Sequence, residues 1–210
     1  MKVVIFGATG KTGLELVSQA LEQGHQVVAY VRRLNAISAV HPNLKIVVGN
    51  VVDLPKLKDA ITGAHACISV LGGNSLRHHS PDIIDGINCI VHVMEQENVL
   101  RFIYMSSIGA GESRNYMPQP IRFLLADVML RVPLADHNTN EQRISKSNLR
   151  WTIVRPGGLT NNGISANLKF GSEKTTLKGS VRISRANVAA FMLDQLSKEE
   201  FVKKAVWLYE

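Results

Sequence analysis

The sequence predicts an α/β fold, a doubly wound parallel sheet covered by helices on both faces. Three observations carry it. β-Branched runs alternate with amphipathic stretches of helix length from the first residue to about Pro156, the pattern of repeated β–α–β units. The first apolar run breaks directly into a glycine loop, Gly7-Ala8-Thr9-Gly10-Lys11-Thr12-Gly13. Glycine- and hydroxyl-rich segments then recur at the ends of the later runs, where an open α/β sheet has its ligand crevice.

In chain order the expected strands are Lys2 to Phe6, Gln26 to Val31, Leu44 to Val48, Ala66 to Val70, Leu100 to Met105 and Arg150 to Val154. Most of them are apolar and β-branched, the pattern of strands in a parallel sheet covered on both faces. Thr12 to Gln23, Leu54 to Ile61, Asp82 to Glu95 and Asp136 to Ser147 read as the intervening helices, joined by right-handed crossovers. After Pro156 the pattern loosens. Asn167 to Phe170 and Thr175 to Leu177 read as short strands about a Gly171-Ser172 turn, Ser184 as the cap of a helix running to about Leu196, and Lys204 to Tyr209 as a last strand. The later part is therefore expected to be a small substrate-side elaboration of the same sheet, with residues 1–210 forming one domain.

Composition agrees with this and removes other classes. The chain has 210 residues, 45% hydrophobic and 20% charged, enough for one well-packed core and ordinary for a globular domain. No apolar run approaches the roughly twenty residues of a membrane span. The N-terminal run enters a glycine loop and not a small-residue cleavage site, so a cytoplasmic protein is expected. Cys67 and Cys89 stand apart in apolar segments and read as buried thiols. His78-His79 and His92 have no ligand spacing, so no metal is expected. A net charge of +7 is spread singly or in twos, with aromatics at 6%, and there is no recognition-helix signature, which speaks against a nucleic-acid partner. Monomer and small homo-oligomer both stay open.

The glycine loop follows a strand and opens a helix, the context of a dinucleotide phosphate loop. Gly7 permits the tight turn, Gly10 brings the backbone to the pyrophosphate, and Gly13 lets the helix sit on the strands. Thr9, Lys11 and Thr12 complete the loop, and the first-turn N–H groups face the phosphates. The second strand ends Tyr30-Val31-Arg32-Arg33. A carboxylate there would bond the ribose hydroxyl of NAD; two guanidinium groups suit a 2′-phosphate, so NADP is expected, with NADPH preferred over NADH. Asn50 and Val51 follow the third strand beside the adenine, where Asp53 either reads the adenine amino group or caps the next helix. Leu71-Gly72-Gly73-Asn74 lets the fourth-strand loop pass close to the ribose.

Ser106 and Ser107 close the fifth strand, Ser106 toward the cofactor and Ser107 toward the reacting group, unless both merely cap the strand end. Pro156 ends the sixth strand at the same edge. The usual partner of such a serine, a tyrosine with a lysine four residues on, is missing. In its place the helix Asp136-His137-Asn138-Thr139-Asn140-Glu141 offers His137 as a proton relay, with Glu141 on the same helical face and Arg143 nearby; the plain alternative is a polar helix face beside the pocket.

Taken together, the loop, Val31-Arg32-Arg33, Val48-Gly49-Asn50-Val51, Met105-Ser106-Ser107, Leu149 to Pro156 and Ile183 to Val188 resemble the atypical short-chain dehydrogenase/reductases of the NAD(P)-binding, NmrA-like superfamily, in particular the branch of biliverdin reductase B, or flavin reductase. The resemblance implies a Rossmann-like fold and hydride transfer from NADPH to a flavin, quinone or similar conjugated acceptor. It maps the loop glycines onto Gly7, Gly10 and Gly13, the basic residue at the 2′-phosphate onto Arg32 or Arg33, the nicotinamide serine onto Ser107 and a helix histidine onto His137. That branch also has a histidine after the sixth strand, where this chain has Pro156-Gly157-Gly158. The departure argues against tetrapyrrole reduction and leaves the proton source open. Two other readings stand beside this one: a dinucleotide-sensing regulator without turnover, and a reductase or isomerase of a small carbonyl or sugar nucleotide.

Overall fold

The computed structural model describes residues 1–33, 36–73, 75–119, 122–177 and 181–210, with side chains 125 and 127 left aside. Asn74, expected in the fourth-strand loop, lies outside these residues.

Strands β1 (Lys2–Phe6), β2 (Gln26–Val31), β3 (Leu44–Val48), β4 (Ala66–Ser69), β5 (Arg101–Met105) and β6 (Arg150–Pro156) fall where the apolar runs place them. They stand in the order β3-β2-β1-β4-β5-β6, all parallel, and β10 (Lys204–Tyr209) adds in parallel outside β6. A three-residue strand, β8 (Lys169–Gly171), closes that side antiparallel to β10. The chain order reverses between β1 and β4, which opens a crevice at the carboxyl ends of those two strands.

The period-two geometry of β1 shows why the layers form. Val3 and Ile5 pack on one face with Leu16, Val17 and Ala20 of α1 (Lys11–Glu22) and Val188 and Met192 of α5 (Arg185–Asp194). Val4 and Phe6 point the other way, into Leu57 and Ile61 of α2 (Leu54–Ile61), Ile87, Ile90 and Met94 of α3 (Pro81–Gln96) and Ile144 of α4 (Arg131–Ser145). All four β1 side chains are fully buried, each contributing about 1.5–3 kcal/mol. Asp53 accepts from the Lys56 N–H at 3.1 Å and starts α2; Ser184 accepts from the Asn187 N–H at 3.1 Å and starts α5.

Two expectations need correction. Thr175 to Leu177 is not a strand: the Leu177 N–H donates to the Tyr116 carbonyl at 2.9 Å, and its side chain packs with Ile108, Tyr116 and Tyr209. α4 begins at Arg131, a turn earlier than expected, because Pro133 sits in the first turn, where its missing N–H costs nothing. Between Ser107 and α4 the chain also forms a 3-10 turn, Gly111–Tyr116, and a π-helical segment, Arg122–Met129. A separate parallel pair, β7 (Gly158–Thr160) with β9 (Arg182–Ser184), builds the C-terminal elaboration.

Candidate active site

The glycine loop is dictated by close backbone contact. Gly7 has φ +81°, and the Gly10 N–H closes the turn on the Gly7 carbonyl at 3.0 Å. A Cβ on Gly13 would lie 2.1 Å from the Gly7 carbonyl oxygen and 2.7 Å from Ala8 Cα, so only glycine lets α1 dock against its own loop. Gly10 offers α1 no side-chain cap, and the first turn carries no acidic residue. The first N–H groups and the positive helix end are left for an anion.

A pocket of about 190 Å³ opens in front of this loop. It gathers Gly7, Thr9, Gly10, Arg32, Asn50, Val51, Leu71 and Gly72 from the ends of β1, β2, β3 and β4. Beside it, Thr9, Arg32 and Arg33 line a second recess of about 430 Å³. Lys11 is exposed, Thr12 and Gly13 are buried behind the loop, and none of the three lines these two pockets. Asp53 also stays outside them and serves as the helix cap. Sequence reasoning missed Tyr30, Asp82 and Ile83, which also line the 190 Å³ pocket. The Tyr30 hydroxyl donates to the Asn50 carbonyl at 2.9 Å and fixes the loop after β3. Burial, with Asp53 adding to it, pushes its pKa up to about 12, so it remains a donor. Its place next to last in a strand that ends in the crevice was the available signal.

At the other end of the crevice lies an apolar cavity of about 930 Å³, lined by Gly73, Ser107, Ile108, Leu134, Pro156 and Leu159 among others. Leu124 and Ala126 of the π-helical segment border it as well. The Ser107 hydroxyl donates to the Ile108 carbonyl at 3.1 Å. Ser106 is anchored through its N–H to the Val154 carbonyl at 2.7 Å, and its buried Oγ has no partner among the described residues. An unsatisfied buried hydroxyl at a strand end costs about 1–3 kcal/mol unless something arrives to bond it. Ser106 itself lines none of these pockets; the loop that excludes a Cβ and the arginine recess beside it make a set of donors and space that fits an NAD(P) dinucleotide.

His137 and Glu141, expected on one working face, have separate partners. Asn140 Nδ2 donates to the Tyr104 hydroxyl at 3.0 Å, and that hydroxyl meets His137 Nδ1 at 2.9 Å. Burial lowers the His137 pKa against the opposing pull of Glu141 and Asp136, so the ring is neutral near pH 7. His137 does not line the cavity of Ser107. Glu141 instead clamps Arg155 at 3.0 and 2.6 Å, while Glu112 of the 3-10 turn holds the same guanidinium at 2.7 and 3.1 Å. Burial opposes the Arg155 charge most, but the hydrogen bonds to Glu141 and Glu112 outweigh it and raise the pKa. The clamp ties the turn after Ser107 to the residue before Pro156. Among the described residues no helix is long and apolar enough to cross a membrane.

Comparisons with known proteins agree with this layout. The chain is 32% identical to an uncharacterised chloroplastic protein of Arabidopsis thaliana, over 98% of this chain and 75% of that one. It is 27% identical to the photosystem II assembly factor Ycf39 of Synechocystis, over 75% of this chain but 45% of the relative's length. Among solved structures, the anaerobilin reductase ChuY of Escherichia coli O157:H7 superposes with a TM-score of 0.84 at 22% identity, covering 100% of this chain and 97% of that one. A short-chain dehydrogenase/reductase of Veillonella parvula in complex with NADP also gives 0.84, at 19% identity, covering 100% and 94%. At these identities the structural likeness speaks for the fold. The family model for NAD(P)H-binding proteins matches residues 7–199. The chain thus belongs to the NAD(P)H-binding family and has a Rossmann-like fold.

Proposed function

We propose that this protein is an NADPH-dependent reductase that passes hydride to a flat conjugated acceptor, a flavin or quinone. One observation carries the reading: Gly72 lines the pocket of the glycine loop, and Gly73 lines the apolar cavity of Ser107 and Pro156. Two pockets that meet at one peptide suit two molecules whose reacting ends must touch.

When bound, the dinucleotide supplies a hydride and leaves as NADP⁺; the acceptor gains that hydride and one proton. The chain's own residues then have distinct work. Gly7, Thr9 and Gly10 hold the pyrophosphate, with Lys11, Thr12 and Gly13 setting the start of α1. Asn50, Val51, Leu71 and Gly72 enclose the adenosine, and Arg32 and Arg33 take the 2′-phosphate. Ser106 offers its unpartnered hydroxyl to the cofactor side, and Pro156 shapes the floor. Ser107 turns its hydroxyl from the Ile108 carbonyl toward the acceptor. His137, neutral and bonded to Tyr104, is a positioning residue, so the proton comes from solvent. A flavin or quinone tolerates this because its reduced form spreads charge and asks little of a general acid. The absent Tyr/Lys pair supports the same choice.

Stopped-flow loss of NADPH absorbance with FMN, riboflavin and a naphthoquinone tests the reading. Turnover with these and none with simple ketones is expected. NADPH binding without turnover on any acceptor would sink it and favour a dinucleotide sensor. Ser107→Ala should lower the turnover rate about tenfold or more with NADPH affinity nearly unchanged; lost affinity alone would assign Ser107 to the scaffold.

A further inference from the structure

The apolar cavity carries charge that hydride transfer does not explain. Arg182, on β9, and Arg185, in the first turn of α5, both line it, and no carboxylate is among its described lining residues. Arg185 donates to the Thr160 carbonyl at 3.0 Å and to Asn161 Oδ1 at 2.6 Å. Both acceptors are neutral, so its charge stays uncompensated. Arg182 makes no side-chain hydrogen bond or ion pair among the described residues. Its backbone is nevertheless fixed, paired with Gly158 in the β7–β9 ladder and accepting from the Glu210 N–H at 2.7 Å. Glu210, whose N–H makes that bond, accepts with Oε1 from the Ser184 N–H and Asn187 Nδ2 and does not line the cavity.

Arginine stays protonated in proteins. A neutral flat molecule seated here would cover two cations and return nothing, a cost that discriminates against it. We propose that the acceptor is an anion: a conjugated apolar body against Ile108, Leu134 and Leu159, with a phosphate or carboxylate arm on Arg182 and Arg185. The inference rests on reading this cavity as the acceptor site.

The test uses the whole chain saturated with NADP⁺, so that added anions compete only for the cavity. FMN and riboflavin share one ring system and differ by a phosphate; anthraquinone-2-carboxylate and its methyl ester supply the carboxylate arm. Fluorescence titration should give FMN about tenfold tighter binding than riboflavin at low salt, with the gap narrowing at about 0.5 M NaCl. Arg182→Gln should weaken FMN about three- to tenfold and leave riboflavin within about twofold. Because Arg185 also anchors Thr160 and Asn161, Arg182→Gln with an unchanged urea midpoint carries the mutational test, and the salt dependence needs no substitution. FMN preferred without acid over ester assigns the arm as phosphate; the reverse assigns carboxylate. Equal affinity within both pairs overturns the inference, as do equal KM values for neutral and anionic acceptors, and either leaves NADPH-dependent reduction standing. Anion preference without NADPH oxidation would overturn the reductase reading and, with it, the acceptor assignment, leaving the cavity as an anion-binding site only.

Discussion

Glu112 and Glu141 grip the same guanidinium, yet losing them should cost very different amounts. The Arg155 side chain is 5% exposed and Glu141 is 8% exposed, whereas Glu112 is 59% exposed. Glu141→Gln keeps one acceptor but turns an amide NH₂ toward Arg155 and leaves a buried cation half-paired. Breaking a buried pair in this way costs about 3–5 kcal/mol, and the low end applies because Glu112 still accepts two bonds. Glu112→Gln breaks a pair that water screens, which is worth under about 1 kcal/mol. Urea unfolding of both variants, with unchanged slopes, should show the asymmetry. For a chain of this size about 3 kcal/mol corresponds to roughly 6–12 °C in Tm. Equal small losses would refute the reasoning, since Arg155 would then be reached by water. A loss from Glu112→Gln matching that from Glu141→Gln would show that the turn holding Glu112 is buried in solution.

Three other outcomes follow from the site. Replacing Arg32 and Arg33 by Gln should weaken NADPH about tenfold or more while leaving NADH within about twofold, measured by calorimetry; equal losses would remove the 2′-phosphate assignment. Gly13→Ala drives a Cβ into the Gly7 carbonyl, so it should cost about 1–3 kcal/mol of stability and at least about tenfold in dinucleotide affinity, and an unchanged NADPH titration would contradict the docking of α1 on its loop. Burial lowers the His137 pKa below its ordinary value. Below about pH 6.5 the unfolded chain therefore binds that proton first, and stability falls as pH falls from about 6.5 toward 5. Urea midpoints across that window should slope less in His137→Asn; an identical slope would show that His137 titrates normally.

Much of this molecule was legible because its information is local. β1 to β6 are largely apolar runs, interrupted only singly as by Lys45 in β3 and Thr152 in β6, so their places could be read directly. Gly7 and Gly13 could be read because backbone sterics admit no other residue, and Arg32 and Arg33 because a strand end fixes where they emerge. What stayed hidden depends on partners distant in the chain. Glu141 looked like a companion of His137 by helical spacing, but Arg155 claims it from another strand. Leu177 looked like a strand residue, but Tyr116 takes its N–H. Arg182 carried no local signal at all, because only folding turns it onto an apolar wall. The segment between Ser107 and α4 lacks a clean period, so its 3-10 and π-helical turns could not be separated from loop.

The position of β10 bears on the timing of assembly. It inserts between β6 and β8 although it comes much later in the chain than β6, and the Gly157 N–H behind the cavity floor bonds the Leu208 carbonyl at 3.0 Å. The glycine loop depends on distant contacts as well: β1 pairs with β4 across a longer stretch of chain than β6 with β10, and Val188 and Met192 of α5 pack against β1 and α1 behind the loop. Non-local parallel pairing is slow, so in a refolding chain both halves of the crevice wait on the C-terminal elements. Recovery of NADPH binding and recovery of turnover should follow the same time course.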